Sequence, residues 1–273
     1  YGCNNIFTCL LFGRSFAVRF IMDLYIFFVI GAFIGSFFNV VIYRLPREES
    51  VVKPRSHCPK CKVSIPFYRN IPIISYIIQL GKCANCKNNI SIQYLFVELI
   101  NGLIWGWAFT NLPLPESITA SLISSVLISI SWIDAKIYMI PLDLIIVGVI
   151  IIILSIIFGV LSLYQALLGI LAGVLFPALM MGLTWLFTRR QGMGFGDLQL
   201  GLILGAWLGP ILMILTLFLA SLLGLMAWIL ISLFQGVDRN RPLPFAPYLS
   251  FSAISIFIVS NYSTTLIDHL IMV

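Results

Sequence analysis

The chain has 273 residues, of which 60% are hydrophobic and only 10% are charged. Apolar stretches long enough to cross a bilayer recur along it, which excludes an ordinary water-soluble domain. The net charge of +6 comes from basic residues grouped between these stretches, so it indicates anionic lipid headgroups as the partner and no nucleic acid.

Apolar runs bounded by Pro, Gly and charged residues predict an all-α membrane protein with eight transmembrane helices. We expect the helices at 22–43, 94–111, 117–133, 142–160, 164–188, 198–209, 211–234 and 246–261. The sixth is short and ends at Pro210, so a half-helix packed inside the bundle is an alternative for it.

The predicted organisation has three parts. Residues 1–21 contain Arg14 and Arg19, which interrupt any spanning run, and Met22 reads as a natural start. We therefore interpret 1–21 as an upstream extension or a cloning remnant. Residues 22–111 hold the first helix, a loop of about 50 residues and the second helix, and residues 112–273 form the remaining helical bundle.

The distribution of Lys and Arg predicts the orientation, because basic residues favour cytoplasmic loops near helix ends. With the N-terminus outside, every basic residue other than Arg14 and Arg19 falls in a cytoplasmic segment. We therefore expect a multi-pass protein of the cytoplasmic membrane whose large loop faces the cytoplasm.

That loop contains two C-x-x-C pairs, formed by Cys58 and Cys61 and by Cys83 and Cys86. Four thiolates at this spacing are typical of a structural zinc site, and neighbouring basic residues favour deprotonated sulfur. Two disulfides are the alternative, which a reducing cytoplasm disfavours. The sequence predicts a zinc ion that folds a segment too small to build its own core.

Two aspartates, Asp134 and Asp197, stand where long apolar runs meet short polar segments. Ionisable side chains at membrane depth are energetically costly, so their presence indicates a functional role. A proton pathway is one interpretation, but transporter carboxylates are expected near the bilayer midplane, whereas both aspartates fall at predicted cytoplasmic ends. A plain helix cap is a second interpretation for Asp197, which precedes an apolar helix.

The glycines before Asp197 favour a third interpretation. Gly192, Gly194 and Gly196 alternate along the chain, which leaves room for a peptide backbone to approach the carboxylate. Two carboxylates brought together share one proton, so that one activates water and the other polarises the scissile carbonyl. This is the chemistry of an aspartic protease.

These residues resemble the bacterial prepilin peptidases, membrane aspartic peptidases of the Gly-x-Gly-Asp kind. The resemblance runs through nearly the whole chain from Met22 onward, in six blocks that keep the family's order. The blocks are Gly35 to Pro46, the cysteine pairs around Asn70-Ile71-Pro72, Tyr94 with Glu98, Ile133-Asp134 with Ile140-Pro141, Gly192 to Asp197, and finally Pro244-Phe245-Ala246-Pro247-Tyr248 as the closing segment.

The resemblance implies an enzyme of the bacterial inner membrane with its active site facing the cytoplasm. Such enzymes cut the basic leader from type IV prepilins or pseudopilins after a glycine, and many then N-methylate the new N-terminal residue with S-adenosylmethionine. It makes Asp134 and Asp197 the catalytic pair. In the family, the methyltransferase activity is associated with the first helix and the cysteine loop. Asn39 and Arg44 around the end of the first helix, and Glu98 in the second helix, are candidate contacts for the methyl donor.

Some polar residues keep simpler interpretations. Asn39 and Glu98 can instead satisfy each other or nearby backbone, and Arg44 is expected to snorkel to the interface in any case. His57 beside the first cysteine pair is expected to be a bystander, since four cysteines already complete a zinc site.

The chain departs from the family at two positions. Gln199 stands where the family usually has Lys, and Leu142 stands where it often has Asp, with Asp143 one residue later. A proton-coupled transporter and a non-catalytic zinc-bearing assembly factor for a pilus or secretion machine remain the alternative functions.

Overall fold

The computed structural model describes residues 6–189, 194–238 and 242–271, with side chains at 19–187, 189, 194–238 and 242–262. Eight α-helices lie in these ranges, and the described residues form no strand beyond two isolated bridges. In chain order the helices are α1 Ile6–Arg44, α2 Ile74–Ile78, α3 Gln93–Asn111, α4 Leu114–Ile137, α5 Leu142–Ile157, α6 Leu163–Thr188, α7 Phe195–Gln235 and α8 Ala246–Ile271. The predicted all-α fold is confirmed.

Four helical segments are long and apolar enough to cross a membrane by length and composition. They are Arg19–Arg47, Leu114–Ile137, Leu163–Phe187 and Phe195–Gln235, and α5 is a shorter apolar helix. The chain is thus a multi-pass membrane protein, while the predicted count of eight spans is not confirmed within the described ranges. The helix α1 already begins at Ile6, so residues 6–21 belong to the first helix.

The sixth and seventh predicted helices are joined in α7. Gly209 has φ 73° and ψ 177° inside this run, a conformation outside the helical region, and Pro210 follows it. The break lies where the sequence predicts a helix end, because Pro removes a backbone donor and glycine accepts a positive φ.

The chain divides into two compact units, Tyr1–Ser125 and Val126–Val273. In the first, α1 packs along α3 through small residues: a Cβ on Gly35 would lie 2.9 Å from the Cα of Glu98, and one on Gly31 would lie 2.7 Å from the carbonyl oxygen of Asn101. The rings of Phe27 and Phe109 stack on the same interface at 3.8 Å. These glycines are needed because the helices approach almost to backbone contact.

In the second unit, α6 and α7 cross even more closely. A Cβ on Gly173 would lie 2.1 Å from the carbonyl oxygen of Gly201, and one on Gly169 would lie 1.9 Å from that of Gly205. Both helices carry glycines four residues apart, the spacing that lets membrane helices pack backbone to backbone. The helix α8 also packs on α7, where the rings of Trp207 and Phe257 lie 4.6 Å apart.

Candidate active site and metal centre

Asp134 lies in the last turn of α4 and is buried. Its Oδ2 accepts a hydrogen bond of 3.1 Å from the backbone N–H of Ala246, the first residue of α8. First-turn N–H groups have no partner inside their own helix, and a helix N-terminus favours a negative charge. The fold therefore holds this carboxylate against the N-terminus of α8.

Asp197 lies at the third position of α7, whose N-cap is Gly194. Its Oδ2 accepts a hydrogen bond of 3.2 Å from the N–H of Gly194, and its own N–H donates to the Gly194 carbonyl oxygen at 3.2 Å. The first of these bonds is the half of a capping box in which the N3 side chain binds the N-cap N–H, and the second is a backbone turn bond, since glycine has no side chain. Asp197 thus does cap α7, but from inside the first turn rather than from before the helix, and the same bond fixes the carboxylate.

The structure brings the two predicted aspartates together. The Asp134 carboxyl group lies close enough for its charge to affect the Asp197 carboxyl group, although the two residues belong to different helices. In each carboxylate, one oxygen accepts a hydrogen bond from a backbone N–H at the start of a helix. Two neighbouring carboxyl groups in a partly desolvated setting are the arrangement that divides one proton between them.

The glycines of this segment have different surroundings. A Cβ on Gly196 would lie 2.9 Å from the Cβ of Ile140, in the connection between α4 and α5, so this position has no room for a side chain. Among the described residues, a Cβ on Gly194 would meet nothing closer than the Asp197 Oδ2 at 3.5 Å. Gly192 lies outside the described residues. Close packing thus explains Gly196, while the space beside Gly194 is open.

The other sequence candidates near this site are exposed: Gln199 in α7 and Asp143 in the first turn of α5. Sequence reasoning missed the roles of Ala246 and Ile140, although both lie in segments that carry the family resemblance. Ala246 acts through its backbone N–H, which nearly every residue type has. The start of a helix at Ala246 is therefore the only signal of this role in the sequence.

A cavity of about 330 Å³ lies beside the break in α7, lined by residues that include Ser162, Gln165, Trp207 and Pro210. Twelve residues of α7 separate Asp197 from Gly209, which corresponds to roughly 18 Å along a helix. This cavity is therefore not the space beside the two carboxylates.

The four predicted cysteines meet in the loop between α1 and α3. The Sγ atoms of Cys58, Cys61, Cys83 and Cys86 all lie within 4.8 Å of one another, with Cys58 to Cys86 at 3.8 Å and Cys61 to Cys83 at 4.0 Å. Sulfur atoms placed tetrahedrally around zinc at 2.3 Å are about 3.8 Å apart, whereas a disulfide needs about 2.05 Å. The cluster fits a tetrathiolate zinc site.

The two cysteine pairs sit in matching turns, at 57–64 and 82–89. In the first, Lys62 N–H bonds to the Cys58 carbonyl oxygen at 2.9 Å, and in the second Lys87 N–H bonds to that of Cys83 at 2.9 Å. Both lysines have positive φ, and an isolated bridge closes each turn. The loop thus contains a short structural repeat, with one turn around each C-x-x-C pair.

Local amides favour the thiolate form of two of the four cysteines, Cys61 and Cys83. At Cys86 the Asn88 backbone bond acts in the same direction, but desolvation and the neighbouring thiols raise the pKa to about 11. The backbone N–H of Val63, followed by the Asn85 side chain, lowers the pKa of Cys61 to about 6. Hydrogen bonding from the backbone of Cys86 and then of Asn85 likewise lowers the pKa of Cys83. The predicted deprotonation therefore rests on amide donors first. His57 lies outside the cluster, with its Nδ1 3.1 Å from the Arg55 carbonyl oxygen.

Asn39, Arg44 and Glu98 are all buried in the first unit. Asn39 Nδ2 donates to the Tyr94 carbonyl oxygen at 3.1 Å, and the Glu98 Oε2 accepts from the Ile73 N–H at 2.7 Å. Both side chains therefore bind backbone, as the simpler interpretation has it. Within the described part of the chain, the buried Asn39 Oδ1 has no hydrogen-bond partner.

Arg44 is buried at the C-terminal end of α1. Its guanidinium donates to the carbonyl oxygens of Ser50 at 2.9 Å, Pro54 at 2.8 Å and Arg55 at 3.5 Å. The loop after α1 folds back and supplies these acceptors, which a buried guanidinium requires.

Comparison with known proteins gives two family matches. Residues 29–112 match the bacterial peptidase A24 N-terminal domain, and residues 121–229 match the type IV leader peptidase family. No solved structure matches the chain.

Similar proteins are named prepilin leader peptidase/N-methyltransferase. The one from Neisseria gonorrhoeae is 34% identical, over 85% of this chain and 89% of the relative. Those from Pseudomonas aeruginosa and Aeromonas hydrophila are 32% and 33% identical, over 81% and 82% of this chain and 85% and 86% of the relatives. With this identity over most of its length, and with its paired aspartates and four-cysteine loop, the chain belongs to the type IV leader peptidase family.

Proposed function

We propose that the chain is a membrane aspartic endopeptidase that cuts type IV prepilins or pseudopilins after a glycine, with Asp134 and Asp197 as the catalytic pair. The observation that carries this proposal is the meeting of two carboxylates from separate helices, each held by a backbone N–H. Family membership and the names of the relatives support the substrate class.

The chemistry needs one ionised and one protonated carboxyl group. The ionised group accepts a proton from water as the oxygen attacks the scissile carbonyl carbon, and the protonated group donates a hydrogen bond to the carbonyl oxygen. Collapse of the tetrahedral intermediate releases the new amine, which takes up a proton from the pair. The backbone bonds from Ala246 and Gly194 keep one oxygen of each carboxylate fixed during these steps.

The proposed setting is the bacterial inner membrane with the carboxylates facing the cytoplasm. The distribution of Lys and Arg supports this orientation. Asp134 in the last turn of α4 and Asp197 in the first turn of α7 both lie at helix ends, where a hydrophilic leader can reach them without entering the hydrocarbon.

We further propose N-methylation of the new terminus by the first unit, which the match to the A24 N-terminal domain and the names of the relatives support. S-adenosylmethionine would supply the methyl group. Among the residues that the structure describes, none binds the Asn39 Oδ1, which leaves it free to accept from an N–H donor of such a ligand. Arg44 and Glu98 form hydrogen bonds to the loop backbone, which favours a positioning role for them.

The test is incubation of the full chain in lipid nanodiscs with a prepilin peptide, with and without S-adenosylmethionine, followed by mass spectrometry of both fragments. We expect loss of the leader after glycine and one added methyl mass on the mature fragment. Asp134→Asn and Asp197→Asn should each lower cleavage at least ~10³-fold, in the upper part of the range for acid–base groups. Asp143→Asn, a change at an exposed carboxylate, is the matched control and should cleave normally.

Full cleavage by either catalytic variant would defeat the assignment. Proton-coupled flux in proteoliposomes, abolished by the same substitutions, would instead favour a transporter. Normal pilus or secretion assembly with both aspartates replaced would favour a non-catalytic assembly factor.

A further inference from the structure

The loop between α1 and α3 presents a cluster of exposed apolar side chains within residues 67–80. This segment contains a short turn of 3₁₀ helix and the five-residue helix α2. Its exposed apolar residues are Phe67, Tyr68, Ile74, Ile77, Ile78 and Leu80. A water-facing module rarely gathers so many apolar side chains in one short segment.

One hydrogen bond fixes the depth of this segment. The Ile73 N–H donates to the Glu98 Oε2 at 2.7 Å, and the Glu98 backbone packs against Gly35 of α1. Gly35 lies inside the apolar span Arg19–Arg47 and nine residues before Arg44, which is about 14 Å along a helix. Even with the full reach of a glutamate side chain, Ile73 lies within the length of this span.

Several backbone N–H groups of the segment form hydrogen bonds within the protein, as an apolar environment requires. The Ile71 N–H donates to the Ser75 Oγ at 2.9 Å, the Leu80 N–H to the Ile77 carbonyl oxygen at 3.0 Å, and the Gly81 N–H to the Tyr76 carbonyl oxygen at 2.9 Å. Backbone groups satisfied within the protein remove the main penalty for placing a non-helical chain at membrane depth.

Charge on the same loop complements an anionic surface. Residues 45–92 contain eight Lys and Arg residues against two Glu residues, an excess that stays positive after the charge of a zinc tetrathiolate is counted. Arg69 lies within the apolar segment and Lys82 follows it, and both are exposed. Their long side chains can reach phosphate headgroups while the apolar side chains point into lipid.

We propose that residues 67–80 form an interfacial anchor, which inserts its apolar side chains among the acyl chains of an anionic bilayer beside α1 and α3. The anchor goes beyond the proposed peptidase and methyltransferase activities and requires neither of them. The anchor would then hold the two zinc-binding turns at the membrane surface, in addition to their covalent connections to α1 and α3.

Photocrosslinking tests the anchor with a matched pair of positions. Ile78 is 75% exposed and Val52, in the same loop but outside the segment, is 76% exposed. Each is replaced separately by p-benzoylphenylalanine, and the protein is irradiated in nanodiscs of phosphatidylglycerol and phosphatidylethanolamine, with and without prepilin peptide. We expect several-fold more lipid adduct at position 78 than at position 52, by mass spectrometry.

Leu80 provides a second insertion position, which keeps the test decisive if the probe at 78 disturbs folding. A lipid adduct at either 78 or 80 that exceeds the adduct at 52, with wild-type zinc content, supports the anchor. Equal lipid adduct at all three positions overturns it. Crosslinks from 78 and 80 that go to the prepilin peptide or to a second copy of the chain, in place of lipid, also overturn it.

Discussion

The Asp134 carboxylate accepts a hydrogen bond of 3.1 Å from the backbone N–H of Ala246, which lies 112 residues later in the chain. Ala246 begins α8, so a side chain of α4 satisfies a donor that α8 cannot satisfy itself. Asp197 has the equivalent bond to Gly194 at the start of α7. Both proposed catalytic groups are thus oriented by helix starts, which ties the geometry of the site to the packing of the bundle.

Removing the Ala246 donor should impair cleavage without removing a carboxylate. Proline at the first helical position preserves the helix but has no N–H, so Ala246→Pro should lower kcat/KM by about one to two orders of magnitude, which corresponds to one lost hydrogen bond to a charged group. Peptide cleavage and thermal unfolding are measured together.

Ala246→Gly is the control for that change, because it keeps the N–H and removes only a buried methyl group. It should retain most of the activity. If Ala246→Pro cleaves as well as Ala246→Gly at equal stability, the bond does not position Asp134 for catalysis.

The two described glycines before Asp197 should respond differently to alanine. Gly196→Ala places a methyl group 2.9 Å from the Ile140 Cβ, and we expect a loss of about 1–3 kcal/mol of stability, as for other overpacked sites, together with reduced cleavage. The change in melting temperature measures the first effect.

Gly194→Ala meets no close neighbour, and its φ of −79° suits any residue. Its melting temperature should therefore remain close to that of the wild type, while cleavage falls because the methyl group occupies space beside the Asp197 carboxylate. Wild-type cleavage by Gly194→Ala would show that the substrate does not use this space.

Zinc binding should depend on the cysteines and not on the neighbouring histidine. Cys58→Ser removes a thiolate from the four-sulfur cluster, and since metal binding is coupled to folding in such small modules, we expect lost zinc and new protease cleavage sites within 45–92. His57→Ala should retain both the metal and the resistance to protease, because His57 lies outside the cluster.

Elemental analysis by mass spectrometry and limited proteolysis provide the readouts. One zinc per chain in Cys58→Ser, or equal protease sensitivity in the two variants, would contradict the assignment of a structural tetrathiolate site.

The crossing of α6 and α7 predicts opposite effects for two glycines of α6. A methyl group on Gly173 would lie 2.1 Å from the Gly201 carbonyl oxygen, whereas one on Gly182 would meet nothing within 4 Å. Gly173→Ala should therefore destabilise the protein by at least about 1–3 kcal/mol. Gly182→Ala should be neutral or stabilise by up to ~1 kcal/mol, since alanine is the better helix former.

Thermal unfolding in a single detergent compares the two variants directly. Equal melting temperatures would mean that α6 and α7 do not cross at these glycines in solution.

The two halves of α7 show where sequence reasoning stops. Pro210 predicts an interruption, because it removes a donor and disturbs the preceding turn, and Gly209 does have non-helical angles there. Whether the segments on either side form two spans or one broken helix depends on how they pack against α6 and α8, and such contacts leave no periodic pattern in a uniformly apolar run.

Residue type and order alone indicate the membrane setting, the all-α fold, the four-cysteine site and the two aspartates. Each of these follows from local chemistry: the cost of charge in lipid, the affinity of thiolates for zinc, and the helical satisfaction of backbone groups. The tertiary structure alone decides that Ala246 holds Asp134, that Ile140 fills the space beside Gly196, and that Glu98 holds Ile73 within the length of the apolar span. Each of these contacts joins segments that are distant in the chain, and each involves a backbone group or close packing. Backbone groups are identical in every residue type except proline, so the sequence does not show which of them will meet.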